Sequence, residues 1–225
     1  MTPVTQALQQ RISVRAYLDR PVPQALVREL LDTARWSPSG GNLQPWRVIA
    51  VAGKEREAVC DLAANGSWSG AGPEDGGYAL YPPSLWEPHR SRRYELGEQM
   101  YALLGIARED KEGRLRQFAA NYRFFDAPVG LFFIIDKRMG HGQWAHIGMF
   151  MQSVMLAAVE LGLATCPQEA WGVYRGRLHK HLGLAAAEMV YCGMALGYAD
   201  PDAPVNQLRS ERASVDEFAS LRGFD

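Results

Sequence analysis

The sequence predicts one domain that mixes helices and strands. Its 225 residues make about 1.5 domains of roughly 150 residues, so a single elaborated unit is expected. Apolar residues recur at helical spacing in some stretches, and short apolar, β-branched runs lie between them.

Pro23 to Arg35 places Leu26, Val27, Leu30, Leu31 and Ala34 on one helical face, behind Pro21 and Pro23, and so predicts an amphipathic helix. It stops at Ser37-Pro38-Ser39-Gly40-Gly41-Asn42. Trp46 to Val51 reads as a strand closed by Gly53, followed by a helix from Lys54 to Ala64. Glycines and prolines between Gly66 and Trp86 exclude regular structure. Trp68, Tyr78, Tyr81, Leu85 and Trp86 in that stretch fit a lid or subunit contact better than a free linker. Arg93 to Ile106 and Lys111 to Tyr122 read as helices, and Val129 to Ile135 as a strand fit for the middle of a sheet. Gln143 to Leu163 is apolar on almost every face, which predicts a helix buried all round, in a core or an oligomer interface. Thr165 to Ala170 and Met189 to Tyr198 read as strands, with a helix around Val173 to His181 between them. The segment after Pro201 reads as an extended tail.

Lys+Arg 24 against Asp+Glu 25 leaves a net charge of −1, with 47% hydrophobic and 22% charged residues, the balance of an ordinary globular protein. Basic residues are interspersed with acids, so nucleic acid is not an expected partner. Met1 to Gln10 carries no apolar run of export-signal length, and a cytoplasmic location is expected. Met139 to Val159 is free of Asp, Glu, Lys and Arg, but His141, Gln143, His146 and Gln152 make it too polar to span a membrane. Cys60, Cys166 and Cys192 are odd in number and in no CxxC pair, which argues against a disulfide framework or zinc knuckle. No metal is expected.

Gly140-His141-Gly142-Gln143-Trp144-Ala145 fits GxGxxA only in part. Asp136-Lys137-Arg138 separates it from the strand, and Glu160, about twenty residues on, lies in the same helix. Gly66-Ser67-Trp68-Ser69-Gly70 has Trp68 where a nucleophile elbow needs serine. His179 and His181 are two apart and do not share a helical face. More informative is Arg11-Ile12-Ser13-Val14-Arg15. As a strand, Arg11, Ser13 and Arg15 face one way, and as a helix the arginines still share a face. Either geometry offers two guanidiniums to one anion such as a phosphate.

With Pro21-Val22, the following helix and Ser37 to Trp46, this segment resembles the nitroreductase family of FMN-dependent NAD(P)H oxidoreductases, with its RxSxR and PSxxNxQPW motifs. Asp126-Ala127-Pro128, Glu160-Leu161-Gly162-Leu163, Cys166 to Trp171 and Asn206 to Phe218 are similar to the family in order and spacing. The Gln168-Glu169-Ala170-Trp171 form looks most like the branch that reduces nitrobenzoates and other nitroarenes.

The resemblance implies an α+β fold, a mainly antiparallel sheet flanked by helices, in an intertwined homodimer. Residues 1–225 form one domain, 66–101 a lid-like insertion, and 201–225 an extension onto the partner. It implies that FMN is held by Arg11, Ser13 and Arg15, with Arg212 and, in place of the family's frequent Lys at Ser210, Arg209. Pro38, Ser39, Gly40 and Asn42 are implied to line the flavin ring from the partner subunit, and Pro167, Gln168 and Glu169 to pass beside it. Asn121 is a candidate hydrogen-bonding partner and Arg123 a candidate cation near the reduced ring, a solvated helix-end arginine being the alternative. The implied reaction is ping-pong reduction of an aromatic nitro compound to the hydroxylamine, with NAD(P)H as donor and no catalytic acid or base. Tyr81, Trp86, Tyr94 and Phe124 are candidates to stack on the small aromatic substrate, and Arg90, Arg92 or Arg93 to meet its carboxylate. Alternatives in the same fold are a quinone reductase or a reductive dehalogenase, for which Glu98 and Tyr101 mimic part of a lid trio. A non-catalytic flavin- or aromatic-binding module is the alternative of another class.

Overall fold

The computed structural model describes residues 3–64 and 78–224. Four strands, β1 (Arg47–Ala52), β2 (Val129–Asp136), β3 (Ala164–Gln168) and β4 (Glu188–Gly197), form one sheet in the order β1-β2-β4-β3. Every neighbouring pair is antiparallel. The helices among the described residues are α1 (Pro3–Gln10), α2 (Gln24–Ala34), α3 (Gly53–Ala64), α4 (His89–Leu103), α5 (Lys111–Ala119), α6 (Gly140–Glu160), α7 (Arg175–His181) and α8 (Val215–Phe218).

Successive side chains of a strand point to opposite faces, and β2 uses both. Leu131, Phe133 and Ile135 enter one core, where α2 contributes Val27, Leu30 and Ala34 and α6 contributes Ile147, Phe150 and Val154. Phe132 and Ile134 enter the other, with Val59 of α3, Leu178 of α7, Phe124 and Trp171. A strand covered on both faces has no polar side, which is why β2 reads as an unbroken apolar run. Two glycines notch the second face. A Cβ on Gly193 would stand 2.2 Å from the Trp171 ring and one on Gly130 2.3 Å from Phe124, so both rings reach the sheet only because no side chain is there.

The structure corrects several boundaries. Residues 3–10, given no element from sequence, form α1, a helix with no buried residue, too short to leave a readable period. The helix expected over Lys111 to Tyr122 ends at Ala119 and tightens into a 3-10 segment through Asp126. Phe124, Phe125 and Asp126 there take φ of 55°, 52° and 62°, a left-handed conformation that is costly for such residues, where Phe124 and Phe125 are buried in the second core. The helix expected from Gln143 is α6, and it is not buried all round. Its Ile147, Phe150, Met151, Val154, Ala157 and Ala158 face the core, while Gly148 and Met149 are exposed. The tail is not wholly extended, since Pro204–Gln207 is a 3-10 turn and Val215–Phe218 a helical one.

Candidate active site

Residues 11–17 run extended beside β3 and β4. Val14 N–H donates to the Thr165 carbonyl at 3.0 Å, and Ser13 and Tyr17 pair with Thr165 and Ala199. With Val14 buried against the protein, Arg11, Ser13 and Arg15 line one cavity of about 970 Å³. Arg209 and Arg212 line it from the tail, and Arg92 from α4.

Residues almost two hundred positions apart meet here through Asn206. Its buried side chain accepts from Arg15 N–H at 2.9 Å and donates to the carbonyls of Ala16 and Asp200, each at 2.8 Å. Arg209 donates to the Asn206 carbonyl at 3.1 Å. Ser210, standing where the family often has lysine, accepts from Arg212 through its carbonyl at 2.8 Å and through its hydroxyl.

Among the described residues, no carboxylate pairs with Arg11, Arg15, Arg209 or Arg212. Burial, and then the charge of Arg212, pull the Arg11 pKa down. Clustered cations oppose one another's ionisation, and an anion among them relieves that. Each charge-assisted bond to such an anion contributes about 1.5–3 kcal/mol. Beneath the cluster the Cys166 thiol is pushed up by burial, against the opposing pull of Arg15, a Ser13 hydrogen bond and Arg11, and it stays protonated.

The same edge of the sheet carries a second group. Gln168, 2% exposed, donates to the Asn121 carbonyl at 2.7 Å, which joins two residues chosen separately from sequence. Its Oε1 is buried without a partner among the described residues. Asn121 turns its own amide onto the Phe118 carbonyl at 2.9 Å. The Glu169 carboxyl is raised by burial, opposed by Arg175. Arg175, missed from sequence, is 1% exposed, donates to the Val190 carbonyl at 3.0 Å and lies 4.1 Å from the centre of the Tyr78 ring. In the basic stretch Arg175 to His181 it reads like any solvated arginine, so no sequence signal marks it.

The remaining candidates are not drawn together. None of Pro38, Ser39, Gly40 and Asn42 lines the arginine cavity. Their turn is tied by Gln44 N–H to the Ser39 hydroxyl at 2.9 Å and Asn42 N–H to the Ser39 carbonyl at 2.9 Å. It packs on α6, where a Cβ at Gly40 would come 3.0 Å from His146. Tyr81, Trp86 and Tyr94 are exposed, with Arg93 4.3 Å above the Tyr81 ring and His89 edge-on to Trp86. Residues 66–77 of the lid-like insertion lie outside the described residues.

Phe124 is corrected. It is fully buried between Phe132, Trp171 and Gly130 and has no face to offer a substrate. Arg123 is corrected too, because it pairs with Asp126 at 3.1 Å and lines a smaller cavity of about 330 Å³ beside Cys60 and Tyr122. Arg90 and Arg92 are already paired, with Glu87 at 2.7 Å and Glu217 at 3.0 Å. Glu98 is held by Arg114 through bonds of 2.6 and 3.0 Å, and the same guanidinium covers Tyr101 at 4.2 Å. His179 and His181 bond the Ala185 carbonyl and Glu55. Among the described residues, no three His, Cys, Asp or Glu side chains gather as metal ligands.

The model of the nitroreductase family matches residues 8–198. The chain belongs to the nitroreductase family. It is 38% identical over 217 residues to a chloronitrobenzene nitroreductase of Comamonas testosteroni, covering 95% of this chain and 94% of that one. It is 37% identical over 215 residues to a 4-nitrobenzoate reductase of Pseudomonas putida, covering 96% and 93%. The crystal structure of the FMN- and NADPH-dependent nitroreductase NfnB from sphigopyxis sp. strain HMH matches all of both chains at 46% identity, with a TM-score of 0.94. This nitroreductase-family chain thus has relatives over nearly its whole length, its N-terminal arginines and most of its tail included.

Proposed function

We propose that this chain is an FMN-dependent NAD(P)H oxidoreductase that reduces nitrobenzoate-like aromatic nitro compounds to hydroxylamines as a homodimer. The observation that carries the reading is the cavity lined by Arg11, Arg15, Arg209 and Arg212, guanidiniums that pair with no carboxylate among the described residues. The cavity has the charge and the size for a phosphorylated cofactor. The relatives named for chloronitrobenzene and 4-nitrobenzoate support the substrate class.

When bound, FMN would supply the redox chemistry, a two-electron relay between NAD(P)H and the acceptor that must run twice, with two NAD(P)H, to take one nitro group to the hydroxylamine and water. The chain's part is position and electrostatics. Arg11, Arg15, Arg209 and Arg212 hold the phosphate and Ser13 the adjoining hydroxyl chain. Asn121 and Pro167 to Glu169 would flank the ring. Pro38, Ser39, Gly40 and Asn42 reach the ring from a second copy, since within one chain they lie apart from the arginines. Exposed apolar side chains on α4, α6 and the tail support that dimer, notably Leu96, Met149, Phe218 and Phe224. Tyr81, Trp86 and Tyr94 stack the acceptor, and Arg93 is the candidate for its carboxylate. A cytoplasmic location fits a donor drawn from the pyridine-nucleotide pool. Dehalogenation is disfavoured because Arg114 already occupies Glu98 and Tyr101.

The test is the visible spectrum of the protein loaded with FMN, followed under anaerobic addition of NADPH or NADH and then 4-nitrobenzoate. Flavin bands that bleach and then return support the reading. Bands restored by a quinone or an iodophenol but not by nitrobenzoate would make the acceptor wrong, and a protein that cannot take up FMN would remove the cofactor.

A further inference from the structure

Arg175 follows the turn Glu169–Tyr174 directly, and its side chain folds back into that turn. A Cβ on Gly172 would stand 2.8 Å from its Nη2 and 3.1 Å from its Cζ, so the guanidinium lies against bare backbone. Nε donates to the Val190 carbonyl of β4 at 3.0 Å, and the Tyr78 ring covers the group at 4.1 Å. Among the described residues, Nη1 and Nη2 have no hydrogen-bond partner and no carboxylate pairs with the group. A buried cation held by one bond and a ring face is costly unless a negative charge nearby answers it.

Glu169, at the head of the same turn, is the group that can. It reaches the surface of the chain, yet protein crowds its carboxyl enough to raise it, with Arg175 opposing. The other titratable groups that feel its charge are Tyr78, ahead of α4, and Tyr191 and Cys192 on β4. Burial raises each of the three, so they stay neutral near pH 7. Arg175 is thus the charged neighbour of Glu169 among the described residues. A second copy covering Glu169 strengthens the need for this cation, because it removes the water that screens a carboxylate.

We propose that Arg175 sets the charge of the acceptor pocket: by cancelling Glu169 from behind, it lets a carboxylated arene approach the flank of the flavin that Gln168 and Glu169 line. Uncompensated, Glu169 would repel such an anion. Arg175 is a positioning residue, acting on the acceptor through Glu169 without touching it. The inference rests on the FMN and nitroarene reading of the site.

The experiment measures the affinity of oxidised, FMN-loaded protein, without NAD(P)H, for 4-nitrobenzoate and for nitrobenzene, by the change in flavin absorbance. Their ratio isolates the charge, since the neutral arene shares the ring and the nitro group. Near pH 8 the ratio is expected to follow the sum of the two side-chain charges. Glu169→Gln stands highest, the parent and the E169Q/R175M double variant stand level, and Arg175→Met stands lowest, in steps of roughly fivefold to tenfold. Losing Arg175 removes what opposes burial, so Glu169 takes up its proton at higher pH in R175M. As pH falls, R175M is therefore expected to converge on the double variant. In the FMN-free protein the carbon-13 signal of the Glu169 carboxyl, assigned by its absence from E169Q, should titrate at higher pH in R175M than in the parent.

An unchanged ratio in R175M would overturn the proposal, because no charge is then being cancelled. A double variant as low as R175M would overturn it too, because Arg175 then meets the carboxylate itself. Arg175→Lys keeps the charge and is expected to keep the parental ratio. If R175M does not fold, R175K and E169Q decide, and an E169Q ratio at or below the parental one counts against the proposal. A parent that takes up no FMN overturns the cofactor reading, while the carboxyl titration still reports on the pair. A loaded parent that binds neither arene overturns the acceptor reading, and this role of Arg175 with it.

Discussion

Around the sheet nearly every large apolar side chain is buried, whereas around the arginine cavity few are. Phe132, Phe133, Trp171, Leu131 and Met194 are wholly enclosed. By contrast α1 and α4 contain no buried residue at all, and Leu8, Leu96 and Phe218, which line the cavity, stand open. The sheet is finished by its own chain. The arginine cavity is walled by side chains that one chain leaves open.

The largest expected effect breaks the enclosed half. Phe124→Ala empties a ring from a site with no exposure, and such truncations cost about 3–5 kcal/mol. Urea unfolding should show that loss with little change in slope. A loss below about 1 kcal/mol would mean the second core can collapse around the gap.

Next comes the phosphate end. Arg15 is held to Asn206 through its backbone, so Arg15→Ala removes the guanidinium without releasing the tail. Loss of one charge-assisted bond at about 1.5–3 kcal/mol should weaken FMN binding by roughly tenfold to a hundredfold with the melting midpoint of the apo protein unchanged. A similar loss of riboflavin affinity would show that the cavity does not read phosphate.

The comparison is sharpened by mixing. If one copy supplies arginines and the other the Pro38 to Asn42 turn, then an Arg11→Ala/Arg15→Ala protein and a turn variant such as Asn42→Ala, each inactive, should regain about a quarter of parental activity when equal parts are unfolded and refolded together, because a symmetric dimer of one of each has one intact site. No recovery despite mixed dimers would place both elements in one subunit's site.

The smallest effect is at an exposed corner. Arg138 holds the Asp136 carboxyl down to about 2 through side-chain and backbone hydrogen bonds. A depressed carboxylate stabilises the fold above its unfolded pKa near 4 and loses that contribution as pH falls toward about 2. The gap in melting midpoint between parent and Asp136→Asn should therefore narrow across that window. A gap that widens toward low pH would reverse the assigned sign.

This difference between regions also explains what could be read from sequence. Val129 to Ile135 betrays a strand because burial on both faces leaves no polar position, and α2 shows its period because one face meets a core. Arg11, Ser13 and Arg15 were legible because strand spacing alone puts them on one side. Their meeting with Arg209 and Arg212 was legible only through the family resemblance, since it depends on the Asn206 amide reaching across some 190 residues, and nothing local announces such a bond. Phe124 misled because an aromatic beside charged residues looks exposed. Only the positive φ values of residues 124–126 turn it inward. Arg175 escaped notice for the opposite reason, as a charge buried in a segment whose composition promises solvent.

The Asn206 bridge has a bearing on biosynthesis. Every strand of the sheet is complete by Gly197, so a ribosome that has delivered the whole sheet has still not delivered the amide that seats Arg15, nor Arg209 and Arg212 behind it. Contacts of such long sequence separation form late. The phosphate end of the cavity is thus built from the first residues of the chain and from a segment beyond the last strand, and it exists only once both have been made.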